Sequence, residues 1–282
     1  MLNSLFDMKI STMAGACLLG LAGLLFFPGV AAPVRAEMVV CSLDKIPARY
    51  AAPPTNFFAA AALGQVEPLQ RFLDEGVGPD CPMPVPVPEE LAGLFNPRTR
   101  AGRLLTEPGA TALKLAIANG KYDTAAALIA AKANLEAQTR SGLRPLDIAA
   151  ERDDITGMQL VIGVTPNSDA AHLSLLVDLT AQRVTLSRDG VPVTTSKISS
   201  GRKDKPTPPG KYVVTQKYTT WRSTLYHNAP MNWFLRLSCS PVGLHQGVLP
   251  GYPASHGCVR LPADVAKKFY ETVPRGTLVE IR

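Results

Sequence analysis

The sequence predicts a multidomain protein in which an all-α repeat array precedes a mostly β domain. Two observations carry this prediction: an internal repeat of 33 residues before residue 165, and strand-like alternation of apolar residues after residue 170. With 282 residues, 46% of them hydrophobic, the chain is long enough for two globular domains. Formal charge divides at the same place, because residues 171–282 hold 15 Lys and Arg against 6 Asp and Glu, a formal +9. The rest of the chain holds 14 against 17, a formal −3.

The N-terminal segment has the layout of a secretory signal. Lys9 precedes a long apolar run over residues 13–30, and small residues surround Ala36. We therefore expect residues 1–36 to be a signal peptide and the protein to be exported to the periplasm or cell envelope. The apolar run also approaches the length of a membrane span, so a retained membrane anchor is the alternative.

Residues 37–165 carry the internal repeat. Leu113 and Leu146 are 33 residues apart, and so are Ala116 and Ala149. This is the ankyrin period, and the segments resemble the Thr-Pro-Leu-His-x-Ala unit of ankyrin repeats, in which paired helices pack closely through small residues. The sequence therefore predicts an ankyrin-like array of helix pairs.

An insertion interrupts the array. A first unit over residues 56–80 is separated from the second by a proline-rich stretch near 81–108. Stacked repeats commonly present a binding face, so an envelope protein is an expected partner of the array, and a plain spacer between domains is the alternative.

The pattern changes to short strands in the C-terminal domain, residues 170–282. Leu173, Leu175 and Val177 alternate along the chain, followed by Val184 and Leu186, and Arg188-Asp189-Gly190 predicts a hairpin turn. Further strands are expected over residues 184–186, 191–196, 210–216, 232–237 and 278–281, and one helix over 264–272.

Residues able to do covalent chemistry are concentrated in one stretch, from 243 to 260. They are His245, His256, Cys258 and Arg260. Nucleophilic thiol chemistry needs a thiolate, a base to take its proton and donors to hold an oxyanion, and this short stretch offers all three.

The spacing within the stretch suggests how the groups meet. Pro250-Gly251 suits a turn, and a hairpin-like return there would bring His245 back toward Cys258. Histidinium and arginine lower the pKa of a nearby thiol, so we expect a lowered pKa for Cys258. Gly257 lets the backbone come close, so that amides around Cys258 can point at a carbonyl oxygen.

Carboxylates are absent from this part of the sequence. Because no Asp or Glu occurs between Asp204 and Asp264, a paired-carboxylate glycosidase site is excluded, and a backbone carbonyl or polar side chain must orient the histidine. Zinc bound by His245, His256 and Cys258 in a metallo-hydrolase is an alternative that the spacing permits, although it lacks a nearby glutamate base.

A resemblance to a known family sharpens this interpretation. Ser255-His256-Gly257-Cys258-Val259-Arg260, preceded by Leu244-His245, resembles the signature of the L,D-transpeptidase catalytic domain of the YkuD type. Thr207-Pro208-Pro209-Gly210-Lys211-Tyr212 is similar to that family's Thr-Pro-x-Gly-x-aromatic segment. The resemblance covers roughly residues 170–282 and implies the YkuD-like, mostly β fold for this domain.

The resemblance implies roles for the residues of the stretch. Cys258 is the expected nucleophile, and His245 the proton acceptor and donor. Backbone amides near His256, Gly257 and Cys258 are expected to hold the oxyanion. Arg260 is expected to bind a substrate carboxylate or to form a salt bridge within the fold. No metal and no other cofactor is expected.

The substrate that the resemblance implies is peptidoglycan, and a basic catalytic domain would attract such a carboxylate-bearing polymer. Nucleic acid is excluded as a partner, because an export signal is present and a nucleic-acid-binding motif is missing. Ser255 is expected to fix the turn and contribute to substrate binding. The candidates for lining a substrate groove are Trp221, Tyr226, Trp233 and Tyr252, with core packing as the alternative for each.

The implied activity is that of an L,D-transpeptidase, which forms peptidoglycan cross-links through a cysteine thioester. The same site with water as acceptor would be an L,D-carboxypeptidase, and with a protein amine it would attach an envelope protein to peptidoglycan. A catalytically inactive, peptidoglycan-binding scaffold is the remaining alternative.

Cysteine pairing follows from the expected oxidising compartment. Apart from Cys17, which lies in the apolar run, four cysteines remain and permit three pairings. If Cys258 stays free, Cys41 with Cys81 is the natural pair, since both flank the first repeat. Cys239 is then expected to be a lone, buried strand cysteine.

Overall fold

The computed structural model describes residues 55–87, 89–92, 107–165, 167–226 and 228–282. The expected signal peptide, Cys41 and residues 93–106 of the insertion lie outside these ranges. No helix within them is long and apolar enough to cross a membrane.

Three helix pairs form the helical domain. They are α1 (Thr55–Leu63) with α2 (Val66–Asp74), α4 (Ala112–Ala118) with α5 (Tyr122–Ala130), and α6 (Pro145–Ala150) with α7 (Ile155–Ile162), and a short α3 (Glu89–Ala92) follows the first pair. Helices α4 and α6 begin 33 residues apart, as do α5 and α7. The sequence period therefore reappears as a period of helix pairs, while the likeness to ankyrin repeats stays a prediction.

Small residues let the pairs stack. The first helices α1, α4 and α6 pack side by side, as do the second helices α2, α5 and α7. Ala60, Ala116 and Ala149 are almost fully buried between them. Gly64 and Gly120 adopt φ of +82° and +64° in the turns within their pairs, a conformation that glycine takes at little cost.

One eight-stranded sheet forms the sheet domain, in the order β3-β2-β1-β8-β4-β5-β6-β7. Its strands are β1 (Leu173–Asp178), β2 (Arg183–Arg188), β3 (Val191–Lys197), β4 (Gly210–Arg222), β5 (Pro230–Leu237), β6 (Gly243–Gln246), β7 (Val259–Leu261) and β8 (Leu278–Ile281). The pairs β1–β8 and β6–β7 are parallel, and the others are antiparallel. Helix α8 (Asp169–His172) precedes β1.

Strand β4 joins the two halves of this sheet. Its first residues pair with β8 and its later ones with β5, and the register shifts between Val214 and Gln216. Helix α9 (Ala263–Thr272) packs on β5 and β6. The predicted helix and the strand from 278 to 281 are found, whereas β6 and β7, which flank the reactive stretch, are short strands that the alternation of apolar residues did not predict.

The third helix pair packs against the sheet domain. Val213 of β4 belongs to the hydrophobic cluster of the helical domain. Gln159 Nε2 donates to the Gly276 carbonyl oxygen at 3.0 Å, and Ser238 Oγ donates to Met158 Sδ at 3.4 Å. The helices therefore contact the loops that follow β5 and precede β8.

The cysteines divide as the sequence suggests, with one correction. Cys81 is disulfide-bonded, and its predicted partner Cys41 lies outside the described ranges. Cys258 is a free cysteine, and Cys239 is not disulfide-bonded either. Cys239 is not a buried strand residue: it lies after the end of β5, partly exposed, with φ of +47°. Its thiol donates to Asp147 Oδ1 of α6 at 2.8 Å, and this interdomain contact holds it out of the strand.

Candidate active site

The sheet brings the two ends of the reactive stretch together. Leu244 pairs with Val259, and His245 with Arg260, in the parallel register of β6 and β7. Gly251 does bend the chain, with φ of +97°, but the connection returns to start a parallel strand. The expected hairpin-like return is therefore wrong, because parallel neighbours need a longer crossover than a hairpin turn.

A cleft of about 330 Å³ opens over these strands. His245, Cys258 and Arg260 line its floor and side. The opposite wall comes from the hairpin between β4 and β5, which contributes Tyr226 and Met231. The groups expected to react thus share one cleft with a wall that the sequence pattern left unassigned.

His245 is held in one tautomer. Its side chain is buried, with 8% of the residue exposed, and Nδ1 lies 2.6 Å from the backbone carbonyl oxygen of Gln246. Because a carbonyl only accepts, Nδ1 carries the proton and Nε2 is left with its lone pair. A backbone carbonyl therefore orients this histidine, as the lack of nearby carboxylates predicts.

Burial also sets the charge of His245. Desolvation is the main cause that lowers its pKa to about 4, and the positive charge of Arg260 acts in the same direction. The hydrogen bond to Gln246 acts to raise the pKa but is outweighed. The imidazole is thus neutral at pH 7, and Nε2 is free to accept a proton.

The Cys258 thiol has the opposite tendency from the one expected. Burial raises its pKa, while the Gly243 backbone and the charges of Arg236 and Arg260 act to lower it. The expected lowered pKa is therefore wrong: desolvation outweighs the nearby positive charges, and His245, being neutral, contributes none. The resting pair is a thiol beside a neutral imidazole.

Ser255 organises the loop that carries the thiol. Its Oγ donates to the Cys258 carbonyl oxygen and accepts the Gly257 N–H at 3.1 Å. Thr207 Oγ1 donates to the Gly257 carbonyl oxygen at 2.7 Å, and Gly257 itself has φ of +117°. Ser255 thus fixes the turn, and the Gly257 N–H is committed to it.

This commitment changes the expected oxyanion site. The Gly257 amide is not free to donate to a substrate, because Ser255 Oγ holds it. Within the ranges that the structure describes, the amides of His256 and Cys258 donate to no other group. They are the donors that remain for an oxyanion.

Arg260 is placed to meet a ligand. Its side chain lines the cleft and makes no ion pair with any carboxylate of the described residues. A Cβ on Gly247 would lie 2.8 Å from Arg260 Cγ, so the glycine leaves the room through which this side chain passes. A salt bridge within the fold, the alternative for Arg260, is not found in the described part of the chain.

The His256 ring lies against the hairpin between β4 and β5 rather than against His245, the expected base. It is exposed, and its ring lies 4.4 Å from that of Tyr226. The Tyr226 hydroxyl donates to the His256 carbonyl oxygen at 3.4 Å. Tyr226 is therefore the aromatic candidate that does line the cleft.

The other aromatic candidates lie elsewhere. Trp233 packs on Tyr270 of α9, with ring centroids 5.3 Å apart, because the helix covers that side of β5. Tyr252 is 62% exposed on the loop surface and meets the fold through its backbone oxygen, which accepts from Ser199 Oγ. Trp221 stacks near Phe234. Contrary to expectation, Trp233 and Tyr252 do not line the cleft.

The zinc alternative lacks its ligand geometry. The described residues contain no group of three or more His, Cys, Asp or Glu side chains that could hold a metal ion. His245 also uses Nδ1 on Gln246, and the His256 ring stacks on Tyr226.

Several site residues escaped sequence reasoning. Met231 lines the cleft, Gly243 contacts the thiol, and Arg236 lies close enough to act on its charge. The register of β5 and β6 would have pointed to Arg236 and Gly243, but β6 is too short to be seen in the apolar alternation.

A partly buried thiol shares the cleft with a neutral histidine of fixed tautomer, and two nearby backbone amides have no partner among the described residues. Cysteine-dependent acyl transfer and hydrolysis need this set of groups. Residues 173–281 match the family model of the YkuD L,D-transpeptidase catalytic domain. Enzymes of that family are acyltransferases with a cysteine nucleophile. The sheet domain is thus similar to that catalytic domain from β1 to β8.

Solved structures of L,D-transpeptidases are similar to the same part of the chain, each over 39% of it. The Enterococcus faecium enzyme is 28% identical, with TM-score 0.36 and 50% of its chain covered. Enzymes from Mycobacterium tuberculosis and Mycobacterium smegmatis are 24% and 21% identical, with TM-score 0.37 for both and 57% and 58% of their chains covered. This chain therefore spans about half to three-fifths of the length of these structures. No curated protein matches it.

Proposed function

We propose that the protein is an L,D-transpeptidase that cross-links peptidoglycan stem peptides through a thioester on Cys258. The observation that carries the proposal is the shared cleft, in which His245 has a free Nε2 and Cys258 a protonated thiol. The family match of residues 173–281 supports peptidoglycan as the substrate. Export to the envelope, which the first 36 residues predict, would bring the protein to that polymer.

In the first half-reaction, the Cys258 sulfur attacks the carbonyl carbon between the third residue of a tetrapeptide stem and its terminal D-alanine. His245 Nε2 takes the thiol proton as the S–C bond forms. The amides of Cys258 and His256 are the donors for the oxyanion, each worth roughly 3 kcal/mol of transition-state stabilisation. Collapse breaks the C–N bond, and His245 returns the proton to the leaving D-alanine amine.

In the second half-reaction, an amine of a neighbouring stem attacks the thioester carbonyl. His245 accepts the amine proton, the C–S bond breaks, and the thiolate takes that proton back, which regenerates the resting pair. Arg260 is the cleft's positive group for a substrate carboxylate, because a guanidinium binds carboxylates through two donors and finds no carboxylate partner among the described residues.

The test is the intact mass of the protein after incubation with a carbapenem, a β-lactam that mimics the acyl donor. We expect one stable adduct, lost in Cys258→Ser and retained in Cys239→Ser, which removes a second cysteine of the sheet domain that is not disulfide-bonded. Absence of an adduct on protein whose Cys258 is free and reduced would contradict the proposal and favour the inactive scaffold.

The acceptor is identified by a second assay with tetrapeptide-containing muropeptides. A cross-linked dimer that accumulates with loss of D-alanine supports transpeptidation. A tripeptide product alone would make the protein an L,D-carboxypeptidase instead.

A further inference from the structure

Arg236 of β5 and Cys258 lie on opposite sides of one residue of β6, Gly243. Arg236 pairs with Gly243 in the antiparallel register of β5 and β6. Because Leu244 pairs with Val259 in the parallel register of β6 and β7, the preceding positions place Cys258 beside Gly243. Residues that lie opposite each other on adjacent strands project to the same face. Arg236 and Cys258 therefore flank a residue that has no side chain.

Gly243 is tightly packed, and its position has no room for a side chain. A Cβ at this position would lie 2.6 Å from Cε2 and Cζ of the Phe234 ring, so a larger residue does not fit without movement. The Gly243 backbone also hydrogen-bonds the Cys258 sulfur. No side chain of β6 can therefore stand between the guanidinium and the thiol.

Aromatic rings fix the guanidinium. The Arg236 Cζ lies 4.9 Å from the centroid of the Trp221 ring and 5.7 Å from that of Phe234. These two rings are stacked, 6.3 Å apart with an angle of 14° between them. A cation held on such rings is stabilised without an anion beside it.

The charge of Arg236 has no counter-ion. Its Nε is buried without a hydrogen-bond partner, and no carboxylate of the described residues forms an ion pair with it. A guanidinium whose Nε is buried without a partner is costly for the fold. The group across Gly243 that can become negative is Cys258.

We propose that Arg236 is a positioning residue of the site, whose guanidinium stabilises the negative charge that forms on the Cys258 sulfur when His245 Nε2 takes the thiol proton. As a role in catalysis, this rests on the proposed function. The proton moves from sulfur to nitrogen, and the charge left on sulfur then lies between Arg236 and Arg260, the two cations that act against burial on the pKa of the thiol. Arg260 is free to meet substrate, whereas Arg236 is held in place by its rings.

The test is the pH dependence of Cys258 alkylation by iodoacetamide, which needs no peptidoglycan. The fraction of modified Cys258 peptide is followed by mass spectrometry in wild type, Arg236→Met and Arg236→Lys. We expect Arg236→Met to react about tenfold more slowly at pH 7, with its midpoint moved to higher pH, because one stabilising charge on the thiolate is gone. Arg236→Lys, which keeps the charge, should recover most of the rate.

Two controls separate charge from structure. Arg183→Met removes an exposed arginine on β2 and should leave the Cys258 rate unchanged, and alkylation of Cys239 in every variant should match wild type. Trp221→Leu removes the ring under the guanidinium and should slow Cys258 alkylation less than Arg236→Met. This variant and Arg236→Lys keep the test open if Arg236→Met does not fold.

If folded Arg236→Met kept the wild-type alkylation rate and midpoint, the proposal would be overturned and Arg236 would be a packing residue. If Arg236→Met does not fold, an unchanged alkylation rate in Trp221→Leu, together with loss of Cys258 alkylation in Arg236→Lys, would overturn it. That outcome is distinct from failure of the proposed function. In that case the wild type forms no carbapenem adduct, whatever the alkylation profiles show.

Discussion

The Cys239 thiol donates to the Asp147 carboxylate at 2.8 Å, across the junction between the sheet domain and the helical domain. Asp147 is 2% exposed and also accepts from the backbone N–H and the guanidinium of Arg144, its neighbour at the start of α6. The loop that leads from β5 toward the strand of His245 is thereby fastened to the third helix pair.

We therefore expect Asp147→Ala to lower the free energy of unfolding by about 2–4 kcal/mol, because four donor atoms lose a buried acceptor. Cys239→Ser, which keeps a donor of similar size, should cost less than about 1 kcal/mol. Urea denaturation followed by circular dichroism measures both. Equal stability of Asp147→Ala and wild type would show that the junction does not depend on this carboxylate.

Acid should weaken the same junction. Burial acts to raise the pKa of Asp147, but the hydrogen bonds from Arg144 and Cys239 outweigh it, and the pKa lies below its usual value. A carboxyl with a lowered folded-state pKa stabilises the protein above its unfolded pKa, and this stability is lost as pH falls through the folded pKa. Melting temperatures below about pH 4 should therefore fall more steeply in wild type than in Asp147→Asn.

The pH dependence of acylation should reflect the buried histidine. Because the pKa of His245 is lowered to about 4, its neutral form, the one that accepts a proton, persists well below the usual histidine range. We expect the rate of carbapenem acylation to fall on the acidic side of its pH profile near pH 4 rather than near pH 6.5. A limb near 6.5 in stopped-flow measurements would show that His245 is not shielded as described. His245→Gln should slow acylation by about 10²- to 10⁴-fold at pH 7.

Ser255 should matter through the loop rather than through substrate contact. Ser255→Ala leaves the Gly257 N–H and the Cys258 carbonyl without their shared partner, at a cost of about 1–3 kcal/mol in stability. We expect a roughly tenfold or larger fall in the acylation rate, because the amide of Cys258 loses its fixed direction. Thr207→Val, which breaks the neighbouring bond to the Gly257 oxygen, should act in the same direction. Full activity in both variants would contradict this role.

Two aromatic residues should separate packing from binding. Trp233→Ala removes the ring that packs on Tyr270 and should lower stability by about 3–5 kcal/mol, with normal acylation of the folded fraction. Tyr226→Ala should leave the melting temperature within about 2 °C and raise the carbapenem concentration needed for half-maximal acylation, because Tyr226 lines the cleft. Tyr226→Phe, which keeps the ring, is the matched control. A loss of stability in Tyr226→Ala and weaker acylation in Trp233→Ala would instead make Tyr226 the packing residue and Trp233 the binding residue.

Periodic features of the fold were predictable from the sequence. The 33-residue spacing of Ala116 and Ala149 reappears in the starts of the paired helices, since a repeat imposes the same packing on each unit. The strand from Leu278 to Ile281 was also expected, from a segment that resembles the last strand of the L,D-transpeptidase catalytic domain. Such elements can be predicted because neighbouring residues along the chain determine them.

Pairing between distant strands was not predictable in the same way. Strand β7 has three residues, too few to show alternation, and its parallel partner β6 lies across a loop. The chemistry of His245 and Cys258 could be named from their types and spacing. Their burial, which reverses the expected pKa of the thiol, depends on strands and a hairpin wall that come from other parts of the chain.

The protonated resting state of Cys258 also affects how readily its sulfur is oxidised. Peroxides and disulfides react with thiolates far faster than with thiols. A sulfur that gives up its proton only to a histidine beside it, during attack on a bound carbonyl, presents little thiolate to such oxidants between turnovers. In an oxidising compartment, the same burial that slows the bare nucleophile would keep the sulfur reduced between turnovers of the proposed reaction.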